Sequence, residues 1–226
     1  MDKARPPVQA LVPVKSLADS KLRLADMLTS AERAKFSLHM LEDVLANLAA
    51  TAEISRIAVV SKDPDVLALA TRQDAQVLLE PEPPSTGSDG LNGALMFAAQ
   101  QLGDGCALMV VPADVPLVGP GDYRAALASW HHGVAAVRAH DGGTNALLSL
   151  GADAMPYRFG ANSLAQHRAA AQALGLPFRL IENSVWSRDI DSPDDLIWLA
   201  RHNEQCASAD FAAQTLTAKN ILKRSA

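Results

Sequence analysis

Short apolar runs recur along this chain and alternate with longer stretches whose apolar residues return every three or four positions. The runs are VQALVPV (8–14), ISRIAVVS (54–61), AQVLLE (75–80), CALMVVPAD (106–114), GVAAVRAH (133–140), TNALLSL (144–150) and FRLIE (178–182). Several show no polar alternation, the pattern of strands buried on both faces of a parallel sheet. Between them the helical period predicts helices over about 30–50, 64–72, 90–102, 120–130, 163–174 and 193–206. In the first, Phe36, Met40, Leu41, Val44, Leu45 and Leu48 make one stripe, and Thr29 with Glu32 has the spacing of a capping box. Strands alternating with helices predict an α/β fold, a single-domain three-layer α/β/α sandwich of Rossmann-like form. Only Asp141-Gly142-Gly143 separates GVAAVRAH from TNALLSL, so these two runs form a hairpin and the mainly parallel sheet is mixed. No internal repeat or linker divides the chain: residues 1–206 are expected to form the domain, and 207–226 are left as a C-terminal tail, either helical or an oligomer arm.

Composition narrows the classes of protein this can be. The 226 residues are 49% hydrophobic and carry a formal charge of −5. That apolar content excludes disorder as the main state, and the acidic balance argues against a protein that coats nucleic acid. No run approaches the roughly 18–20 apolar residues of a membrane span. About seven apolar-leaning residues follow the basic start, too few for a secretory leader. Cys106 and Cys206, the only cysteines, fit neither a disulfide framework nor a metal-ligand spacing. The expectation is a cytoplasmic protein with no nucleic-acid or membrane partner.

The strongest candidate chemistry is acidic. Asp114 ends the run ALMVVPAD, at the carboxyl end of a buried strand, where open α/β sheets bind ligands. Asp189 and Asp191 flank Ile190; in an extended segment residues i and i+2 share a side, so both carboxylates face one site while Ile190 packs inward. Three carboxylates from two distant segments suit Mg²⁺, a hard cation that leaves positions open for phosphates. Singly, each aspartate also fits a helix cap or a surface turn; as a set they favour the metal. Asp194 and Asp195 stand apart, because Ser192, Pro193 and the acids after them make an ordinary helix start.

Other loops add cations and glycines. Lys15, Lys21 and Arg23 lie before the first long helix, where an α/β fold holds phosphates, although neither GxxxxGK[ST] nor GxGxxG is present. The Gly87–Gly93 stretch approaches a helix near Asn92 and reads equally as a flexible turn. Gly143-Thr144-Asn145 is a further loop, as is Arg158-Phe159-Gly160-Ala161-Asn162-Ser163, where Ser163 caps a helix whose free N–H groups could hold an anion. His167, one turn on, reads as a packing or surface histidine rather than a catalyst. Ser16, Ser61 and Ser163 lack a G-x-S-x-G context, so a serine nucleophile is unsupported.

Taken together, LVPVKSLADSKLRLADML, GLNGAL, VVPADVPL, GGTNALL, RFGANSLAQH and DIDSPDDL, in this order over roughly residues 10–200, resemble one known family. It is the 2-phospho-L-lactate guanylyltransferase family of coenzyme F420 biosynthesis, within the GT-A-like nucleotidyltransferases. The resemblance implies Mg²⁺-dependent transfer of GMP from GTP to a small phosphorylated carboxylic acid, with release of pyrophosphate. The acid is 2-phospho-L-lactate, phosphoenolpyruvate or 3-phospho-D-glycerate. By the same resemblance Asp114, Asp189 and Asp191 bind metal, and Asp114 and Lys21 are catalytic. Lys15, Lys21, Arg23, Gly87 and Asn92 are implied to bind nucleotide, and Thr144, Gly160 and Ser163 the acceptor. A phosphate monoester is anionic near neutral pH and attacks the α-phosphorus without a strong general base, so the site has to supply positioning and charge neutralisation. GTP and the acid are the implied partners, and a homodimer is compatible with the chain. The alternatives are a metal-dependent glycosyltransferase, a molybdenum-cofactor-type nucleotidyltransferase, and a non-enzymatic nucleotide-binding protein.

Overall fold

The first apolar run becomes strand β1 (Val8–Pro13), central because apolar residues point from it in both directions. Ala10 and Val12 face one layer of helices and Leu11 faces the other. The computed structural model describes residues 6–82, 90–103, 105–151, 155–202 and 206–222. After β1 come α1 (Ser30–Ala49), β2 (Ile54–Ser61), α2 (Pro64–Arg72) and β3 (Gln76–Leu79). Then follow α3 (Gly90–Leu102), β4 (Ala107–Val110), α4 (Pro120–Ser129), β5 (Val134–Arg138) and β6 (Thr144–Leu150). The chain ends with α5 (Ser163–Ala173), β7 (Phe178–Ile181), α6 (Pro193–Ala200) and α7 (Ala207–Ala218). The seven strands form one sheet in the order β3-β2-β1-β4-β6-β5-β7.

β6 runs antiparallel to both its neighbours, and every other pairing is parallel. The single-domain α/β sandwich with a mixed, mainly parallel sheet is therefore the fold, with Arg138 paired to Thr144 across the hairpin. The reversal has a consequence for chemistry. A reversed strand begins where its parallel neighbours end, so Thr144 and Asn145 stand at the edge where β1 and β4 give out, the ligand-binding edge of open α/β sheets.

One apolar layer joins the sheet to α1, α2 and α4, and a second joins it to α3 and α5. A third gathers Leu24, Leu28, Phe36 and Met40 against α6 and α7. The helix expected over 193–206 stops at Ala200, and α7 begins at Ala207. The segment that the sequence leaves as a tail thus buries Ala212 and Leu216 against the body of the fold. Its start is capped from another helix: Asp43 accepts hydrogen bonds from the Ala207 N–H at 2.8 Å and the Ser208 N–H at 2.9 Å. No helix among the described residues is long and apolar enough to cross a membrane.

Replacing Asp43 with Ala leaves two N–H groups at the start of α7 without their acceptor. Urea unfolding of Asp43→Ala is expected to show a loss of about 1–2 kcal/mol. An unchanged midpoint would mean that this cap does not hold α7 in place.

Candidate active site

The loop after β1 is fixed by local packing before it offers any charge. Leu17 and Leu24 are buried on either side of it. Asp63, at the start of α2, accepts from the Leu17 N–H at 2.9 Å. The buried Arg33 donates to the Ser20 and Leu28 carbonyls at 3.2 and 3.1 Å, tying both ends of the loop to α1. Between these anchors Lys21 takes a left-handed backbone conformation, φ 49°, uncommon for a residue with a Cβ. The turn carries its side chain inward, where it is only 10% exposed.

Lys21 Nζ lies 2.7 Å from Asp114 Oδ2 and 3.4 Å from Asp191 Oδ1. Burial alone would lower the pKa of this ammonium, but the charges and hydrogen bonds of the two carboxylates outweigh it and hold it above the ordinary lysine value. Asp114 follows β4 by four residues, because Pro112 ends the strand before the carboxylate is reached. Its carbonyl accepts from the Ile190 N–H at 2.9 Å, which docks the Asp189–Asp191 segment beside it. Ile190 is fully buried, as the alternation predicts; Asp191 lines the crevice, whereas Asp189 is directed to the hairpin. Arg23 Nη1 meets the second oxygen of Asp191 at 2.9 Å from the exposed side.

Asp189 turns toward the hairpin. Its Oδ1 lies 3.3 Å from Asn145 Nδ2 and 3.4 Å from His140 Nδ1. Asn145 is itself locked, because its amide donates to the Trp186 carbonyl and the Trp186 indole donates back to its own carbonyl, both at 3.0 Å. Burial, and then the negative charge of Asp114, raise the Asp189 pKa. Repulsion from Asp114 means that the two carboxylates share one electrostatic environment.

The third part of the site is a chain of hydrogen bonds at the start of β6. The Arg158 N–H donates to His167 Nε2 at 3.0 Å, so the proton of the neutral ring sits on Nδ1. Nδ1 lies 3.1 Å from Thr144 Oγ1 and donates to it. Ser163 Oγ donates to the same oxygen at 3.0 Å, so the Thr144 hydroxyl proton remains available to an incoming acceptor atom. His167 is fully buried, and burial first, then the Arg158 charge, lower its pKa to about 4. The loop that carries Arg158 is clamped by Asn92, whose amide donates to the Phe159 carbonyl at 3.0 Å while its oxygen accepts the Phe159 N–H at 2.8 Å.

The structure therefore brings Lys21, Arg23, Asp114 and Asp191 into direct contact and sets Asp189 beside them. A cleft of about 430 Å³ is lined by all of these except Asp189, together with Lys15, which is exposed. Thr144 and Ser163 bond to each other, and Gly160, in the loop before Ser163, has φ +131°, a conformation that favours glycine. Asn92 is placed on the nucleotide by the sequence reading; here both polar atoms of its side chain are committed to Phe159, which makes it a clamp. Gly87 lies outside the described residues. Among the described residues no three His, Cys, Asp or Glu side chains form a preassembled metal cage. The donor set still fits a hard cation: Asp114 and Asp191 already converge on one positive charge, the Lys21 ammonium, through carboxylate oxygens. Sequence reasoning misses His167 and Asn145 as organising residues. The only available signal is their place in the RFGANSLAQH and GGTNALL stretches.

Solved structures share this fold. A putative nucleotide-diphospho-sugar transferase from Desulfovibrio desulfuricans G20 matches with TM-score 0.74 and 17% identity, covering 96% of this chain and 98% of that one. A nucleotidyl transferase from Methanothermobacter matches with TM-score 0.63 and 14% identity, covering 92% and 98%. The family description "Guanylyl transferase CofC like" matches residues 8–220, and the chain belongs to that family. The phosphoenolpyruvate guanylyltransferase of Roseiflexus castenholzii is 37% identical over 210 residues, 93% of this chain and 96% of the relative. The 2-phospho-L-lactate guanylyltransferase of Methanothermobacter thermautotrophicus is 33% identical over 208 residues, 89% of this chain and 88% of the relative.

The buried histidine makes stability pH-dependent in a defined direction. His167 is neutral in the folded protein down to about pH 4 but takes up a proton near 6.5 when unfolded. Its stabilising contribution is therefore complete above pH 6.5 and is lost as pH falls toward 4, a change of about 3 kcal/mol. Urea unfolding at pH 7 and pH 4.5 should show this slope in the wild type and a shallower one in His167→Gln. Equal slopes would remove His167 as the cause.

Proposed function

We propose that the protein transfers GMP from GTP to a small phosphorylated carboxylic acid and releases pyrophosphate, as a step in coenzyme F420 biosynthesis. The observation that supports this most is the Lys21 ammonium held between Asp114 and Asp191 at the mouth of a nucleotide-sized cleft. Lys21 stays protonated throughout the neutral range, since its pKa is raised, and offers a fixed positive charge to a triphosphate oxygen. Lys15 and Arg23 add charge from the exposed rim of the same cleft. Asp114, Asp189 and Asp191 are the residues that would hold Mg²⁺. When bound, the ion polarises phosphoryl oxygens and orients the leaving pyrophosphate.

The acceptor falls to the start of β6. The Thr144 oxygen already accepts from the His167 Nδ1–H and Ser163 Oγ, so its own hydroxyl proton is a directed donor for a carboxylate or phosphate. Gly160 leaves the adjacent backbone free of a side chain. The acceptor phosphate is already anionic, so these residues need only align its oxygen with the α-phosphorus and need not remove a proton.

The test is direct. Purified protein is incubated with GTP, Mg²⁺ and each of phosphoenolpyruvate, 2-phospho-L-lactate and 3-phospho-D-glycerate, following pyrophosphate and product mass. One acid is expected to yield a guanosine diphospho-acid with stoichiometric pyrophosphate; no product with any of them refutes the reading. In the same assay Asp114→Asn should lose on the order of 10²-fold in rate while remaining folded. A variant as active as the wild type would take Asp114 out of the mechanism.

A further inference from the structure

A second cleft, of about 560 Å³, opens from the first toward the β2–β3 side of the sheet. The two share Pro13, Val14, Lys15, Asp19 and Leu91, so they are continuous past the loop after β1. Val14, Val60, Leu91 and Ala94 form its apolar side, a slot against which a flat ring fits. Its polar lining is Lys15, Ser16 and Asp19 on the side of the loop after β1 and, on the β2–β3 side, Lys62, Glu80 and Glu82. None of the last three has a role in the phosphoryl chemistry at Lys21 and Asp114.

The three polar side chains on the β2–β3 side differ in how firmly they are held. The Glu80 N–H donates to the Ser61 carbonyl at 3.1 Å and so continues the β2–β3 ladder by one residue. The Glu80 side chain is only 16% exposed, whereas that of Glu82 is 74% exposed. Lys62 Nζ lies 3.8 Å from Glu80 Oε1 and 3.1 Å from Glu82 Oε1. A carboxylate fixed on the sheet with an ammonium at its side thus faces an apolar slot.

That pair is complementary to one purine. Guanine presents two adjacent donors, N1–H and the 2-amino group, next to the O6 acceptor. A carboxylate accepts both N–H groups side by side, and a neighbouring ammonium donates to O6. Adenine has no 2-amino group and turns a lone pair at N1 toward the same carboxylate, which repels it.

Resting on the guanylyl-transfer reading above, we infer that Glu80, with Lys62 beside it, reads the guanine base in the cleft between β1, β2 and α3 and sets the preference for GTP. The base lies in the slot between Val60 and Leu91, and the triphosphate runs past Lys15 toward Lys21.

The test compares GTP, ITP and ATP in turnover, and GDP with IDP in calorimetric binding, for the wild type and Glu80→Gln. Inosine nucleotides keep O6 and N1–H and lack only the 2-amino group. The wild type is expected to prefer GTP to ITP by roughly 10- to 100-fold, and ATP to be poorer still. In Glu80→Gln the GTP-to-ITP and GDP-to-IDP ratios collapse toward one, while the KM for the phosphorylated acid is unchanged. Wild-type protein that binds IDP as tightly as GDP overturns the inference without recourse to any variant. So does a folded Glu80→Gln protein that keeps the wild-type preference. Failure of every nucleotide in turnover refutes guanylyl transfer instead, and the GDP-to-IDP ratio then still decides whether Glu80 reads the base.

Discussion

Two carboxylates and one ammonium meet at the carboxyl edge of the sheet, and their contact joins three segments that are distant in the chain. Asp114 and Asp191 would repel one another in a crevice partly shielded from water; Lys21 between them removes that repulsion. To reach them the backbone at Lys21 adopts φ 49°, a left-handed conformation that costs on the order of 1–2 kcal/mol for a residue with a side chain. The conformation persists because Leu17 and Leu24 are buried on either side and Arg33 holds the carbonyls of Ser20 and Leu28. The Ile190 N–H to Asp114 carbonyl bond completes the arrangement by fixing one acidic segment on the other.

The reversed strand β6 gives this centre a second side. Its first residues, Thr144 and Asn145, come to the same edge as Asp114, and each is oriented by a buried aromatic neighbour. Trp186 fixes Asn145, which in turn steadies Asp189; His167 fixes Thr144 and through it Ser163. A neutral, fully buried imidazole suits this task because it keeps one tautomer and does not charge near neutral pH. The site thus separates into a cationic half on the loop after β1 and a hydroxyl half on β6 and α5, with the carboxylates between. That division matches a reaction between a triphosphate and a second anion, which need charge neutralisation on one side and directed donors on the other.

Much of this could be read from the chain before any coordinates. Unalternated apolar runs identify β1, β2 and β4 as buried strands, and the short Asp141-Gly142-Gly143 link gives the hairpin. The Asp-Ile-Asp spacing marks Ile190 as the buried residue between two aspartates, but the segment is not a strand: Asp191 lines the cleft while Asp189 turns to Asn145 and His140. What escaped depends on partners distant in sequence. Asn92 looks like a residue at a helix start facing ligand, yet its partner is the Phe159 backbone, 67 residues away. His167 looks like one more helical histidine, and only the Arg158 N–H on its Nε2 reveals a fixed tautomer. Helix α7 has a weak pattern of its own, and its cap, Asp43, lies 164 residues from Ala207. Gly87, named from the sequence, falls outside the described residues.

If the Lys21 charge held by Asp114 and Asp191 engages the triphosphate, as proposed above, removing it must weaken the use of GTP. Steady-state GTP turnover by Lys21→Met, measured with its thermal melting, tests it most directly. The expected result is a fall in kcat/KM for GTP on the order of 10²-fold in a protein that melts lower but still folds cooperatively, because the loop keeps its Leu17, Leu24 and Arg33 anchors. A folded Lys21→Met protein that turns over GTP at the wild-type rate would contradict it.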